Sequence, residues 1–307
     1  MKAVVFAYHN LGIVGLEALK REAFDLKAVF SHWDDPKENC WFDSVVEWAK
    51  KNGIPVFCPE AVNTPEWIEK IRKMAPDVIF SFYYRHLLGK EILRIPPSGA
   101  YNLHGSFLPA YRGRAPANWV LVNGEQRTGV TLHRMVEKAD AGDIVGQKEV
   151  FIEFEDTALT LYHKLCAKAK ELLEEVLPLI KKGIAPCVKQ DLRLASYFGG
   201  RKPEDGKIDW RWPVIRIYNL IRAVTDPYPG AFTFLPEDEK LFIWWAYPQP
   251  DNTSSAASGT LEVEKGNIYV RASDGRLRLM DIEVAKERMK GQRISEYFKN
   301  REGIVLK

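Results

Sequence analysis

Along the first hundred residues, short apolar runs alternate with segments of helical periodicity. Residues 2–8 are nearly continuously apolar, as expected of a strand covered on both faces. Gly12 and Gly15 then predict a turn, with a helix starting at Leu16. Residues 26–31 read as a second strand, 42–51 as a helix stopped by Asn52-Gly53, and 54–58 as a short third strand. Asn63-Thr64-Pro65-Glu66 is a helix start, with a capping residue, an early proline and an acid in the first turn. Residues 77–82 and 100–103 add two strands. Such alternation predicts a parallel sheet with helices on both faces, so the expected fold class is α/β, doubly wound and Rossmann-like.

A long helix is predicted over 157–182, with Leu161, Leu165, Leu172, Leu173 and Val176 on its apolar stripe, a kink at Pro178 and a stop at Gly183. The texture then changes. Residues 199–206 are turn-rich and charged, so 1–198 is expected to form a catalytic domain and 199–307 a second domain. One helix is predicted over 213–224, then strands near 231–235, 241–247, 259–264, 267–272 and 276–282. Five short strands with little helix between them suggest a small antiparallel barrel, OB-like, or a sandwich. Asn252-Thr253-Ser254-Ser255 is a short low-complexity loop.

Composition narrows the classes. The 307 residues suit two domains, and 44 basic against 41 acidic side chains give a net charge of +3. That balance provides little drive toward nucleic acid or membrane. The N-terminus runs straight into a strand-length apolar segment without a cleavable leader, and no run approaches the ~18 apolar residues of a membrane helix. A cytoplasmic protein is expected. Cys40, Cys58, Cys166 and Cys187 are scattered, without a CxxC pair, and read as reduced, mostly buried thiols with no structural metal. Gly12-x-x-Gly15 is not GxGxxG, so no NAD site is expected and the glycines read as sheet-packing.

The chemistry concentrates in Tyr101-Asn102-Leu103-His104-Gly105-Ser106-Phe107-Leu108-Pro109, followed by Tyr111-Arg112-Gly113-Arg114-Ala115-Pro116. Asn102 and His104 lie two apart at the end of a strand, so both side chains leave one face, at the edge where open α/β sheets bind ligands. An amide can hydrogen-bond a developing oxyanion and an imidazole can move protons at neutral pH, which is what acyl transfer asks for. A capped or core histidine accounts for His104 equally well on these grounds. Asp140 by itself reads as a solvated loop acid, and His9, His32, His133 and His163 as structural.

Asn102-x-His104-Gly-Ser-x-Leu-Pro-x-Tyr-Arg-Gly-Arg-Ala-Pro, with Thr128-Gly-Val-Thr-Leu-His133 and Asp140-Ala-Gly-Asp143-Ile-Val, resembles the 10-formyltetrahydrofolate-dependent formyltransferases. The pattern is most similar to the formyltransferase half of the bifunctional UDP-4-amino-4-deoxy-L-arabinose formyltransferase/UDP-glucuronate decarboxylases. It spans most of residues 1–235 and fades beyond. The resemblance implies that Asn102 stabilises the tetrahedral oxyanion, that His104 is the general acid/base, and that Asp140 pairs with it and raises its pKa. It also implies folate contacts at His86, Leu87, Leu88, Arg114 and the loop Val136, Glu137, Lys138, Ala139 and Asp140. The implied co-substrate is 10-formyltetrahydrofolate, with no metal and no NAD.

For the acceptor, the resemblance points first to a sugar nucleotide, UDP-4-amino-4-deoxy-L-arabinose or a related dTDP- or GDP-linked amino sugar. Methionyl-tRNA is the alternative. That enzyme's family carries a basic insertion after the second strand, where residues 31–39 here are short and more acidic than basic. Lys286, Arg288, Lys290 and Arg293 form a basic run that a solvated helix face explains as well. A folate-binding protein without catalysis is a third class, disfavoured by the intact Asn102, His104 and Asp140 set. Tyr228, in Asp226-Pro227-Tyr228-Pro229-Gly230, is either a stacking platform for a base or part of a plain turn. The bifunctional relatives continue into a decarboxylase and this chain ends at Lys307, so no NAD-dependent decarboxylation is expected of it. Oligomeric state is not legible.

Overall fold

The computed structural model describes residues 1–35, 39–251 and 256–307. Residues 36–38 of the acidic 31–39 stretch and the 252–255 loop lie outside the described residues. The chain forms two compact units, one of residues 1–116, 127–152 and 162–199, the other of 117–126, 153–161 and 200–307.

The first unit's strands are β1 (Lys2–Ala7), β2 (Asp25–Phe30), β3 (Val56–Phe57), β4 (Val78–Phe82), β5 (Ala100–His104), β6 (Arg112–Gly113), β7 (Arg127–Arg134), β8 (Ile144–Phe151) and β9 (Tyr197–Phe198). Seven of these form one sheet in the order β3-β2-β1-β4-β5-β7-β8, while β6 and β9 make a separate parallel pair. The helices along the chain are α1 (His9–Arg21), α2 (Val45–Lys51), α3 (Pro65–Lys73), α4 (Lys90–Leu93), α5 (Pro116–Val122) and α6 (Ala158–Lys181). The α/β class holds, but the all-parallel sheet does not: β1 to β5 pair in parallel, whereas β7 runs antiparallel to β5 and β8 to β7. An antiparallel neighbour needs no crossover helix packed back across the sheet, so strand–helix alternation could not announce these two strands.

One face of the sheet is a continuous apolar core of Val4, Phe6, Ala28, Phe30 and Ile79, closed by Ile68 and Ile71 of α3 and Ile92 of α4. Phe6 stacks on Phe30 at 4.9 Å between centroids. On the other face lies α1, which begins at His9 and takes in both glycines, so the expected turn is helix instead. A Cβ on Gly15 would come 2.2 Å from the Phe82 ring, and one on Gly12 3.2 Å from the Ala7 side chain. Glycine costs a helix about 1 kcal/mol relative to alanine, a cost offset here by direct contact of α1 with β1 and β4. The first turn of α1 is tied down by a side chain, because the Leu11 N–H donates to the Tyr162 hydroxyl at 2.8 Å.

Helix α6 runs on through Pro178, where Lys182 N–H still reaches the Pro178 carbonyl, and Gly183 follows at φ 71°. The thiols differ from expectation: Cys40 and Cys187 are exposed and Cys58 and Cys166 only half-buried. Cys40 sits in the segment after β2 and Cys187 beyond α6, both outside the apolar core.

The second unit contains α7 (Val214–Val224), β10 (Ala231–Phe234), β11 (Lys240–Pro250), β12 (Leu261–Glu264), β13 (Asn267–Arg271), β14 (Gly275–Val284), β15 (Glu287–Lys290) and α8 (Gln292–Phe298). Its antiparallel sheet runs β10-β11-β14-β13-β12, with β15 added on β14. The chain's last residues join the two edges. Phe234 and Lys307 exchange backbone hydrogen bonds, Leu306 N–H donates to Gly259 O, and Leu261 N–H donates to Ile304 O. The expected barrel-like domain is thus closed by its own tail. Strand β15 and helix α8 were not expected, and Arg288 and Lys290 of the basic run lie on β15 rather than on a helix face. Those cations are locally paired, Arg288 with Asp281 and Asp226, Lys290 with Asp281, and Arg293 with Glu287. Around Tyr228 the backbone makes a turn, with Tyr228 N–H on Thr225 O and Gly230 N–H on Val224 O. No helix among the described residues is long and apolar enough to cross a membrane.

Candidate active site

The site is assembled on β5 and β7. Asn102 and His104 are two apart on β5 and so share a face, and Asn102 is the direct cross-strand partner of His133 on β7. Its side-chain Nδ2 lies 3.2 Å from Nε2 of His133 and 3.4 Å from Oδ1 of Asp140. The Asp140 carboxylate also faces Nδ1 of His104 at 3.6 Å and Nε2 of His133 at 3.5 Å. The fold therefore brings Asn102, His104 and Asp140 into one cluster and adds His133 to it; spacing had placed only Asn102 and His104 on one face, and by itself Asp140 read as a solvated loop acid.

Two backbone groups complete the arrangement. The carbonyl of Tyr111 can only accept, so the 2.7 Å bond to His104 Nε2 places a proton on that nitrogen. Gly113 N–H donates to Asp140 Oδ2 at 2.9 Å. By the same logic His133 Nδ1 donates to the Arg134 carbonyl at 2.8 Å, which leaves Nε2 of a neutral ring free to accept from Asn102. Burial opposes ionisation of Asp140, but the imidazoles of His104 and His133 when protonated, together with the Gly113 N–H, outweigh it and hold the carboxyl well below the usual range.

The turn after β5 is anchored by Thr131, the partner of His104 on β7. Thr131 Oγ1 donates to Ser106 O and accepts from Leu108 N–H and from Gln147 Nε2. These bonds fix the chain as it leaves the catalytic strand.

The residues expected to touch folate lie on two neighbouring segments and one loop. His86 is exposed, Leu87 is 71% exposed, and Leu88 packs partly into the apolar core. Asn63, just ahead of the α3 N-cap Thr64, holds this turn: its Nδ2 donates to Leu87 O and its Oδ1 accepts from Gly89 N–H. Val136, 47% exposed, Glu137 and Lys138 lie at the surface, and Ala139 and Asp140 are half-buried. A Lys90–Glu137 ion pair at 2.9 Å sets the 86–90 turn beside the 136–140 loop. The Arg114 side chain is exposed, while its backbone N–H bonds Phe198 O.

His133, Tyr111 O and Gly113 N–H were not foreseen as parts of the site. The signal for His133 was the antiparallel pairing of β7, invisible until β5 had a neighbour. His9 is different in kind. It is buried beside Tyr162, whose hydroxyl lies 2.6 Å from its Nδ1, and burial and then the Arg85 charge push its pKa down to about 3.

Residues 1–177 match the family described as formyl transferase, and residues 201–300 match the formyl transferase C-terminal domain. Among solved structures, an N-formyltransferase from Helicobacter canadensis in complex with folinic acid and dTDP-3-aminofucose is 21% identical over 91% of this chain and 98% of that one, with a TM-score of 0.71. The sugar 3N-formyltransferase WlaRD, in the presence of dTDP and 5-N-formyl-THF, is 20% identical over 94% and 98%, with a TM-score of 0.69. A methionyl-tRNA formyltransferase from Clostridium thermocellum is 16% identical over 94% and 100%, with a TM-score of 0.57. At these identities the likeness is one of fold.

Proposed function

The chain belongs to the formyl transferase family, and from that premise we propose that it moves a formyl group from 10-formyltetrahydrofolate to the amine of a sugar nucleotide. The observation that carries this reading is the cluster of Asn102, His104 and Asp140 around one point at the carboxyl end of β5. The co-substrate fits the surroundings. Leu87 and Val136 expose apolar side chains on adjoining segments, a suitable wall for a flat heterocycle, and the polar cluster stands at the strand end beside them.

In this reading one Nδ2–H of Asn102 stays on His133 and the other, directed at Asp140 across 3.4 Å, turns to the formyl oxygen as negative charge gathers there, while the neutral acceptor amine forms its bond to the formyl carbon. His104 keeps Nε2–H on the Tyr111 carbonyl, so Nδ1, facing Asp140, is the nitrogen that can gain and lose a proton without breaking that bond. Through it the proton leaving the acceptor nitrogen passes to N10 as the C–N10 bond breaks. Asp140 stays ionised throughout, which supplies a fixed negative charge beside the transient imidazolium.

The acceptor assignment is UDP-4-amino-4-deoxy-L-arabinose or a related amino-sugar nucleotide. The pairing of Arg288, Lys290 and Arg293 with carboxylates supports it over tRNA, because paired cations offer little to a phosphate backbone. A panel of UDP-aminoarabinose, dTDP-amino-dideoxyhexoses and Met-tRNA, assayed with 10-formyltetrahydrofolate by tetrahydrofolate release and product mass, tests the proposal. Formylation of a sugar nucleotide is expected. Formylation of Met-tRNA alone would replace the acceptor, and folate binding without turnover on any acceptor would overturn the catalytic reading.

A further inference from the structure

The segment that follows α6 returns to the active site and ties its two loops together. Ile144 and Val188 exchange backbone hydrogen bonds at 2.7 and 2.9 Å, fixing the start of this strap on β8. Further along, Ser196 O accepts from Arg112 N–H, Ser196 Oγ accepts from Tyr111 N–H, and Phe198 O accepts from Arg114 N–H. The Phe198 ring stacks on Tyr111 at 4.8 Å. Between these anchors stands Gln190. Its Oε1 accepts from Nε and Nη2 of the buried Arg112 at 3.2 and 2.6 Å, and its Nε2 donates to Asp140 O at 2.9 Å and Gly142 O at 2.6 Å.

The loops so joined hold unfavourable backbone conformations. Tyr111 at φ 59°, Ala115 at φ 51° and Asp140 at φ 52° all lie in the left-handed region. Tyr111 and Ala115 carry a Cβ penalty there that neighbouring contacts offset, while aspartate tolerates the region better than most residues. One loop supplies Tyr111 O to His104 and Gly113 N–H to Asp140, and the other supplies Asp140 itself. Gln190 bonds both.

We propose that Gln190 is a positioning residue for formyl transfer, one amide that fixes the Asp140 loop against the Arg112 loop and so sets the carboxylate against His104 and His133. Gln190 touches no reacting atom and acts through Asp140. The inference rests on the reading of Asn102, His104 and Asp140 given above. The amide is required because its two ends serve different partners: an acceptor for Arg112 and a donor for two carbonyls. Glutamate at this position keeps the first and loses the second.

The test uses the full chain with Gln190→Met, Gln190→Glu and Asp140→Asn, and the double variant Gln190→Met/Asp140→Asn. Gln190→Glu retains a partner for buried Arg112 and so guards against a trivial folding loss. Both single Gln190 variants are expected to lower kcat about 10-fold with acceptor KM within about 3-fold. The ring ¹⁵N signals of His104 and His133 are expected to move in both variants, in the direction that Asp140→Asn moves them. The double variant is expected to be no slower than Asp140→Asn alone, because the two act through one group. Unmoved ring signals, or losses that multiply in the double variant, would overturn the proposal. Wild-type turnover by Asp140→Asn would refute the catalytic reading instead, and the ring signals would still decide whether Gln190 sets the Asp140 loop.

Discussion

The side-chain amide of Asn102 lies 3.2 Å from Nε2 of His133, its direct cross-strand partner. With Nδ1 of His133 donating to the Arg134 carbonyl, Nε2 is an acceptor, and it fixes which way the Asn102 amide points. His133→Ala is therefore expected to lower kcat by about 10- to 100-fold while leaving substrate KM nearly unchanged, because an unoriented amide loses transition-state stabilisation first. His133→Gln, whose amide oxygen can accept the same hydrogen, should recover part of the loss. Steady-state kinetics at saturating substrate decide it, and wild-type kcat in His133→Ala would remove the ring from the site.

Asp140 makes a prediction about pH. Its carboxyl is held below the ordinary value of 3.8, chiefly by His104 and His133 against the opposing effect of burial. A depressed folded-state pKa contributes stability that is fully present above the unfolded value. That contribution is lost as pH falls from about 4 toward the folded pKa, since the unfolded chain binds the proton first. Urea unfolding between pH 2.5 and 6 should show a steeper acid limb for the wild type than for Asp140→Asn. Parallel curves would show that the carboxylate's partners do not stabilise the fold.

The contrast between Asn102 and His133 shows how far the sequence could be read. Asn102 and His104 sit two apart on one strand, so local spacing alone put them on a common face. The contact with His133 depends on pairing between strands separated by 22 residues, of which 117–126 belong to the second unit, and no local period encodes that. The same reason hid β7 and β8 as antiparallel strands and Gln190 as a bridge. Asn63 was equally out of reach. It stands in the helix start that the sequence announced, where Thr64 is the N-cap, but nothing local shows that its side chain is spent on the 87–89 turn. Gly12 and Gly15 looked like a turn, because the sequence does not show Phe82 and Ala7 pressing on the helix from below.

That use of Asn63 is itself testable. Two hydrogen bonds from one side chain hold the turn that presents Leu87, so Asn63→Ala is expected to raise the KM for 10-formyltetrahydrofolate about 3- to 10-fold. The change in kcat should be smaller, since no group in the Asn102 cluster is touched. Titration of folinic acid by tryptophan fluorescence provides a second readout. Unchanged affinity in both measurements would remove the 86–88 turn from the folate site.

Gly15 and Phe82 should be thermodynamically coupled. Placing a methyl 2.2 Å from the ring forces either the ring or α1 to move. Gly15→Ala is expected to destabilise by about 1–3 kcal/mol, with the intrinsic helical gain of alanine only partly offsetting the overpacking. In a background of Phe82→Leu the same substitution should cost much less. Equal costs in both backgrounds, measured by denaturant unfolding, would mean that helix and ring do not meet as described.

The last prediction concerns the tail of the second unit. Lys307 pairs with Phe234 on β10, and Leu306 and Ile304 pair with Gly259 just ahead of β12 and Leu261 at its start, so the four residues 304–307 span the gap between the sheet's edges. Leu306 is 4% exposed and seats the segment by its side chain. Leu306→Ala removes the seat but none of the backbone bonds, and should cost about 2–4 kcal/mol. Removing residues 304–307 deletes both, leaving the N–H of Phe234 and Leu261 without their partners. Amide exchange at those two positions is then expected to rise far more than at Thr233, whose backbone faces β11, or Val270, whose strand is paired on both sides. Exchange that rises equally at all four would mean that the unit unfolds as a whole, and unchanged exchange would show that the barrel does not depend on its tail for closure.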